Sequence, residues 1–328
     1  MSAFRTTFDV PSFPFDVDYS TIILSVGSCF AQVMAERMQQ LKYRVTINPH
    51  GILYNPLSMS NALISYCQAN DFTREDIIIE VDGLWHSFDH HGSISASSRE
   101  QLISNMQMSY EEGRKAVLNA HLIICTFGTS FVFQLGESEN VVANCHKLPA
   151  SSFSRRMASS DEMYRAILKA ISTVRSINST VRFLFTVSPI RHVRDGMVAN
   201  MVSKARLIEL CAQLSNNIND CHYFPAYELM MDDLRDYRYY AEDMIHPSQL
   251  AHRYIWQHFV STCMDKHSAK IAEEISKLHK SLNHRPIHPS SPQHIEFIES
   301  IRKQLAKLKA TYPSFDFTWE EGKLAELQ

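Results

Sequence analysis

The chain has 328 residues and is 45% hydrophobic, enough to bury one large α/β core or a core with an appendage. Its 32 basic against 35 acidic residues leave a net charge of -3, which argues against a nucleic-acid partner, because such proteins carry a basic excess. No apolar run reaches the roughly 18 residues that a membrane span requires.

The N-terminal stretch MSAFRTTFDVPSF has neither a basic segment nor an apolar one, so no secretory signal is expected. The seven cysteines are scattered and form no CxxC pair, the pattern of reduced thiols. Together these predict a cytoplasmic protein.

Thr21–Val26 reads as a short buried strand and Val45–Ile47 as a second. His121–Gly128 has the unbroken apolar character of a strand covered on both faces, Val181–Pro189 repeats it, and Cys221–Ala226 makes a fifth. Helical spacing lies between them. Phe30, Met34, Met38 and Leu41 share one helix face. Met163, Ile167, Ile171 and Val174 share another, opened by a capping box at Ser159 and Glu162. Asn200–Asn219 supplies one more helix. Strands alternating with helices imply right-handed crossovers and a parallel sheet.

Two stretches break the rhythm. Asp76–His91 alternates apolar and polar residues around Asp82-Gly83, a hairpin signal. Ser130–Lys147 reads as a second hairpin around GESEN, and both are expected above the sheet as insertions. Past Cys263, Ile271, Ile275, Leu278 and Leu282 mark one helix; Ile295, Ile298, Leu305 and Leu308 mark another. NHRPIHPSSPQ between them is too rich in proline to continue a helix. The expected division is an α/β domain over 1–262 and a C-terminal helical hairpin over 263–328, the hairpin either packed on the main domain or serving as a homodimer arm.

Chemistry concentrates at two places. Ser28 and Cys29 follow the first strand and open a helix, where free N–H groups and the macrodipole favour negative charge. The bland alternative is an ordinary N-cap serine beside a small apolar cysteine. Asp243 and His246 stand on a loop before a helix, after the fifth strand. An Asp-x-x-His lets a carboxylate fold back on its own histidine, fix its tautomer and leave the other ring nitrogen for a nucleophile. Ligands in parallel α/β sheets bind at the carboxyl ends of the strands, where both loops emerge.

GSCFA at Gly27–Ala31 resembles the signature of the GSCFA family. The resemblance continues through FGTSFVF, VANCHK, VSPIRH, YFPAYELMMDDLRDYRYYAEDMIHPS and HRP. That family is similar to the SGNH (GDSL-type) hydrolases, which implies a flavodoxin-like three-layer αβα sandwich with a parallel sheet of about five strands. It also implies a Ser- or Cys-His-Asp triad that hydrolyses acyl, above all acetyl, esters. Laying the superfamily's Gly-Asp-Ser on Gly27-Ser28-Cys29 puts Cys29 in the nucleophile slot; one residue of slack puts Ser28 there. Asp243 and His246 match their slots directly.

The superfamily's oxyanion donors map onto the nucleophile's own amide, the Gly51 amide, and the Gly128-Thr129-Ser130 turn. In that turn Ser130 stands where the superfamily has asparagine, so Asn144 and Asn55 are considered as substitute donors. His146, Arg191 and His192 are candidates for orienting an anionic substrate group, with ordinary structural hydrogen bonding as the alternative. Trp85, His86, His90 and His91 are candidates for a pocket wall. His86 and His90 lack a cysteine partner, so neither a metal nor another cofactor is expected. The implied substrate is a small-molecule or carbohydrate acyl ester. The alternatives are an O-acyltransferase on the same triad and a non-catalytic binder on a degenerate fold. A nucleotide-binding reading of ILSVGSC fails on glycine spacing.

Overall fold

The computed structural model describes residues 6–7, 9–68, 77–136, 140–285, 287–288 and 291–327. Asp76 of the first expected hairpin, 137–139 of the second turn, and 286 and 289–290 of the proline-rich link lie outside the described residues. The chain begins with β1 (Ile22–Gly27), α1 (Cys29–Gln40), β2 (Arg44–Ile47), α2 (Pro56–Cys67), β3 (Ile78–Val81), β4 (Leu84–Ser87) and α3 (Arg99–Asn119). It continues through β5 (Leu122–Phe127), β6 (Phe131–Leu135), β7 (Val141–Val142), β8 (Phe153–Met157), α4 (Ser160–Ile177), β9 (Arg182–Val187) and α5 (Met197–Asn217). It ends with β10 (Cys221–Phe224), α6 (Ala226–Glu228), α7 (Gln249–Cys263), α8 (Lys266–Leu282), α9 (Pro292–Thr311) and α10 (Thr318–Glu326).

Five of these strands form one parallel sheet in the order β2-β1-β5-β9-β10. This is the flavodoxin-like order, whose topological switch point falls between β1 and β5. Alternate residues along each strand feed opposite cores. Leu24, Val26, Ile123, Phe127, Phe183 and Phe185 pack under the layer that holds α2, α4 and α5. Ile23, Leu122, Ile124, Leu184 and Phe224 pack against α1, α7 and α8. The result is an αβα sandwich, as the strand and helix patterns predict.

Local chemistry sets the details. Ser159 Oγ accepts the Glu162 N–H at 3.1 Å, but the Glu162 carboxylate takes two 2.7 Å bonds from Arg156 instead of returning to the cap. Only half of the expected capping box therefore forms. Asp82 and Gly83 both adopt positive φ, 52° and 76°, the turn that a two-residue hairpin between β3 and β4 needs.

The second insertion is larger than expected. β6 pairs with β7 and also with β8, giving a three-stranded sheet. The sequence hides β8 because Arg155 occupies an inward position there. Its guanidinium lies 4.0 Å over the Phe131 ring and 5.1 Å over Phe133, so a charged residue does an apolar residue's packing. Both insertions share a small core of Ile77, Phe88, Leu102, Met106 and Val142.

At the C-terminus a third helix, α10, joins the expected pair, and Leu278, Leu282, Ile301, Leu305, Phe317 and Leu324 close their common core. Ile295 is exposed, whereas Ile301 is buried on the same helix row as Ile298, Leu305 and Leu308. Glu320 is fully enclosed and receives Lys42 at 2.7 Å and His279 at 2.6 Å. Burial opposes this carboxylate's charge, but its two partners outweigh that and hold it below its ordinary range. The trio fastens α10 to α8 and to the turn before β2.

Removing the Glu320 carboxylate leaves Lys42 and His279 without their anion. Glu320→Ala is expected to lower unfolding free energy in urea by roughly 3 kcal/mol; a loss below about 1 kcal/mol would show the trio to be incidental.

Candidate active site

At the end of β1 the backbone comes unusually close to β5. A Cβ at Gly27, where φ is +145°, would lie 2.4 Å from the Thr126 carbonyl oxygen, so only glycine fits. Asn48 Oδ1 accepts the Gly27 N–H at 2.8 Å, and the Gly27 carbonyl accepts Leu53 N–H at 3.1 Å. Ser28 N–H goes to Thr126 O at 3.2 Å. The chain then turns directly into α1.

Ser28 occupies the N-cap position of α1, yet its side chain makes no capping bond. Its Oγ is enclosed without a partner, and the residue is 1% exposed. Cys29, the first helical residue, is only partly buried, and its Sγ lies 3.4 Å from the Tyr54 hydroxyl. Backbone N–H groups in a helix's first turn have no intrahelical acceptor, so those of Cys29, Phe30 and Ala31 open toward this rim.

The donors expected of neighbouring loops are engaged elsewhere. Gly51, at φ +74°, closes a turn by donating to Asn48 O at 2.7 Å. Gly128 and Thr129 both donate their N–H groups to the Tyr54 carbonyl, at 2.7 and 3.0 Å. Ser130 directs its N–H and its hydroxyl to Ser203 Oγ, at 2.8 and 3.0 Å. Asn55 caps α2 and donates to Ser58 Oγ at 3.0 Å. In this arrangement none of those N–H groups points at the rim.

Asn144 accepts the His146 N–H at 2.9 Å, and His146 bonds the Ser87 carbonyl at 2.7 Å while stacking on His86. These two residues belong to the hairpin cluster. There His50 and His90 also stack, with ring centroids 4.1 Å apart.

The loop after β9 reaches the first rim from the other side. His192 packs edge-to-face on Tyr54, and its Nε2 is enclosed without a partner. A methyl on Gly128 would lie 3.2 Å from that nitrogen and 3.4 Å from Ser28 Cβ. Arg191 ties the same loop to the next one, donating its N–H to Ile245 O at 3.3 Å and its guanidinium to Met244 O at 3.4 Å. The guanidinium also lies 4.0 Å over the Tyr240 ring.

On that next loop Asp243 grips its own turn. Oδ1 accepts the N–H groups of Ile245 and His246 at 2.9 and 3.0 Å, and Oδ2 meets His246 Nδ1 at 2.6 Å. These bonds, those from His246 first, bring the Asp243 carboxyl down to about 2. His246 Nε2 is left over for another partner. His252, one turn into α7, stacks on Phe30 in the first turn of α1. Burial chiefly depresses both His192 (to about 4), where the Lys204 ammonium adds to it, and His252.

Sequence reasoning missed two structural hubs. Tyr54 stands in an ordinary-looking ILYNP. Lys204 looks like a solvated helix lysine, yet it is 1% exposed and donates to Gly128 O at 2.6 Å and Ser188 O at 2.7 Å. Burial lowers its ammonium to about 7. Its spacing with Leu207, Cys211 and Leu214, all buried on one helix face, was the available signal.

Residues 22–259 match the GSCFA family, and residues 275–326 match the C-terminal domain of GSCFA domain proteins. The chain belongs to the GSCFA family. No curated protein matches it. No helix among the described residues is long and apolar enough to cross a membrane, and no group of three or more candidate ligands among them could hold a metal ion.

Two outcomes are expected. Lys204→Met orphans two buried carbonyls, at about 1–3 kcal/mol each, readable as a lower urea midpoint. Separately, burial above all, joined at His192 by the Lys204 ammonium, keeps His50, His90, His146 and His192 neutral: His90 sits at about 3, His146 and His192 at about 4, and His50 well below its ordinary value. The unfolded chain takes up these protons near pH 6.5 while the folded chain refuses them. Stability is therefore complete above that pH and lost as pH falls toward 4, at roughly 1.4 kcal/mol per pH unit for each proton. Urea midpoints measured across this window should fall, and His90→Gln should flatten the slope by about one proton; a flat wild-type profile would contradict the assignment.

Proposed function

We propose that the β1–α1 junction and the Asp243–His246 loop form an acyl-ester hydrolase of the SGNH (GDSL-type) kind, with Cys29 as the attacking residue. The observation that carries this reading is the 2.6 Å Asp243–His246 bond, formed in advance on a loop that Arg191 ties to the rim where Cys29 stands. Accessibility favours Cys29 over Ser28, because a substrate carbonyl cannot approach a hydroxyl that is fully enclosed.

The chemistry then runs in two halves. His246 takes the thiol proton, and the sulfur adds to the acyl carbon while the carbonyl pair moves onto oxygen. Collapse restores the carbonyl and expels the alcohol oxygen, which receives the proton from the imidazolium. Water, deprotonated by His246, opens the thioester; the sulfur leaves and regains its proton. Asp243 holds the ring's tautomer and stabilises the imidazolium. The Cys29 amide and the α1 dipole face the developing oxyanion.

The substrate class proposed is a small acetyl ester or an O-acetylated carbohydrate, met in the cytoplasm. A sugar hydroxyl in place of water would make the same steps an acyl transfer. The reading as a non-catalytic binder has its own support: the amides of Gly51, Gly128 and Thr129 are already bonded within the protein.

Turnover of 4-nitrophenyl acetate separates these. Cys29→Ala and His246→Ala are expected to lose about 10³-fold or more in kcat, with Ser28→Ala within about tenfold of wild type. Equal rates for wild type and His246→Ala would sink the relay. A dead Ser28→Ala beside an active Cys29→Ala would move the attack to Ser28.

A further inference from the structure

We propose that the Tyr54 hydroxyl is a catalytic donor, holding the Cys29 sulfur before attack and the substrate's carbonyl oxygen after it. This inference rests on the hydrolase reading with Cys29 as the attacking residue. It supplies what that reading lacks, a side-chain donor at the oxyanion.

The contact is direct: the hydroxyl lies 3.4 Å from Cys29 Sγ, within hydrogen-bonding range for sulfur. When the sulfur bonds to an acyl carbon, the carbonyl oxygen stands one bond farther on, within reach of a donor that already touches the sulfur. The phenol gives a hydrogen bond and keeps its proton throughout, so the proton balance remains with His246.

Apart from the Cys29 amide, the donors mapped to that role are turned elsewhere. Ser130 turns inward to Ser203, and the Gly51, Gly128 and Thr129 amides serve backbone turns. Tyr54 is held from several directions, as preorganised electrostatic stabilisation requires. Its carbonyl receives the Gly128 and Thr129 amides, its ring meets His192 edge-to-face, and its neighbour Asn55 caps α2. Burial first, and the adjacent Cys29 sulfur next, push the phenol above its ordinary range, so it stays a donor across the working pH span.

The test is Tyr54→Phe, which keeps the ring and its packing. Its kcat on 4-nitrophenyl acetate should fall about 10²–10³-fold, with KM changed less than about threefold. Alkylation of Cys29 by iodoacetamide, followed by mass spectrometry of its peptide, gives a second readout. A donor to sulfur favours the thiolate, so its loss should move the pH midpoint of alkylation upward. Wild-type kcat with an unmoved alkylation profile overturns the proposal. A rate loss that only tracks a lower urea midpoint, with alkylation unmoved, makes Tyr54 structural and overturns it equally. Cys29→Ala and His246→Ala, run alongside, separate the two ideas. If wild type turns over no ester, the hydrolase reading fails and the donor role fails with it. If His246→Ala is silent while Tyr54→Phe runs at full rate, the donor alone fails.

Discussion

No side chain fits between Gly27 and Thr126, and the rest of the rim follows from that closeness. Because β1 and β5 approach without an intervening Cβ, Thr126 can receive the Ser28 amide and turn the chain straight into α1. That turn leaves Cys29 at a helix entrance and encloses Ser28. It also brings the β5 loop under Tyr54, which gathers two of its amides. One missing methyl thus sets the placement of a sulfur, a hydroxyl and a phenol.

Burial sets the histidines of the rim and of the hairpin cluster apart. His192, His90 and His50 lie where water is excluded, and each is kept neutral. His246 remains half-exposed, with a carboxylate bonded to it. The hydrolase reading would have this ring gain and lose a proton, and a bonded carboxylate and nearby solvent are the surroundings that such a role asks for. The enclosed rings fill space, stack in pairs and bond backbone, roles that a charged imidazole would perform at greater cost.

How much was legible depended on whether a residue's type matched its surroundings. The three interior strands, β1, β5 and β9, could be read because both their faces are buried, which demands continuous apolar runs. The β3–β4 turn could be read because Asp82-Gly83 tolerates positive φ. The Asp243–His246 pairing was readable because only two residues separate them, so local geometry alone brings them together. β8 was not readable, since Arg155 packs through cation–π contact and carries no apolar signal. Lys204 and Tyr54 escaped for a related reason. Their roles come from carbonyls and a thiol that only the assembled sheet delivers, as Gly128 O and Cys29 Sγ show. The direction of the Gly51 and Gly128 amides, which bond Asn48 O and Tyr54 O, could not be read without coordinates.

The strand order carries a consequence for how the chain comes to be folded. β1 lies in the interior of the sheet, and its partner on one side, β5, is made only after α1, β2, α2, a hairpin and α3. Until residue 126 emerges from the ribosome, the early β1–β2 pair presents an open strand edge bearing Ile23, Leu24 and Val26. Unpaired edges of this kind are templates for association between nascent chains. The first third of this protein therefore carries an unpaired, association-prone edge until β5 is made, and Cys29 is without the β5 loop beside it for all of that time.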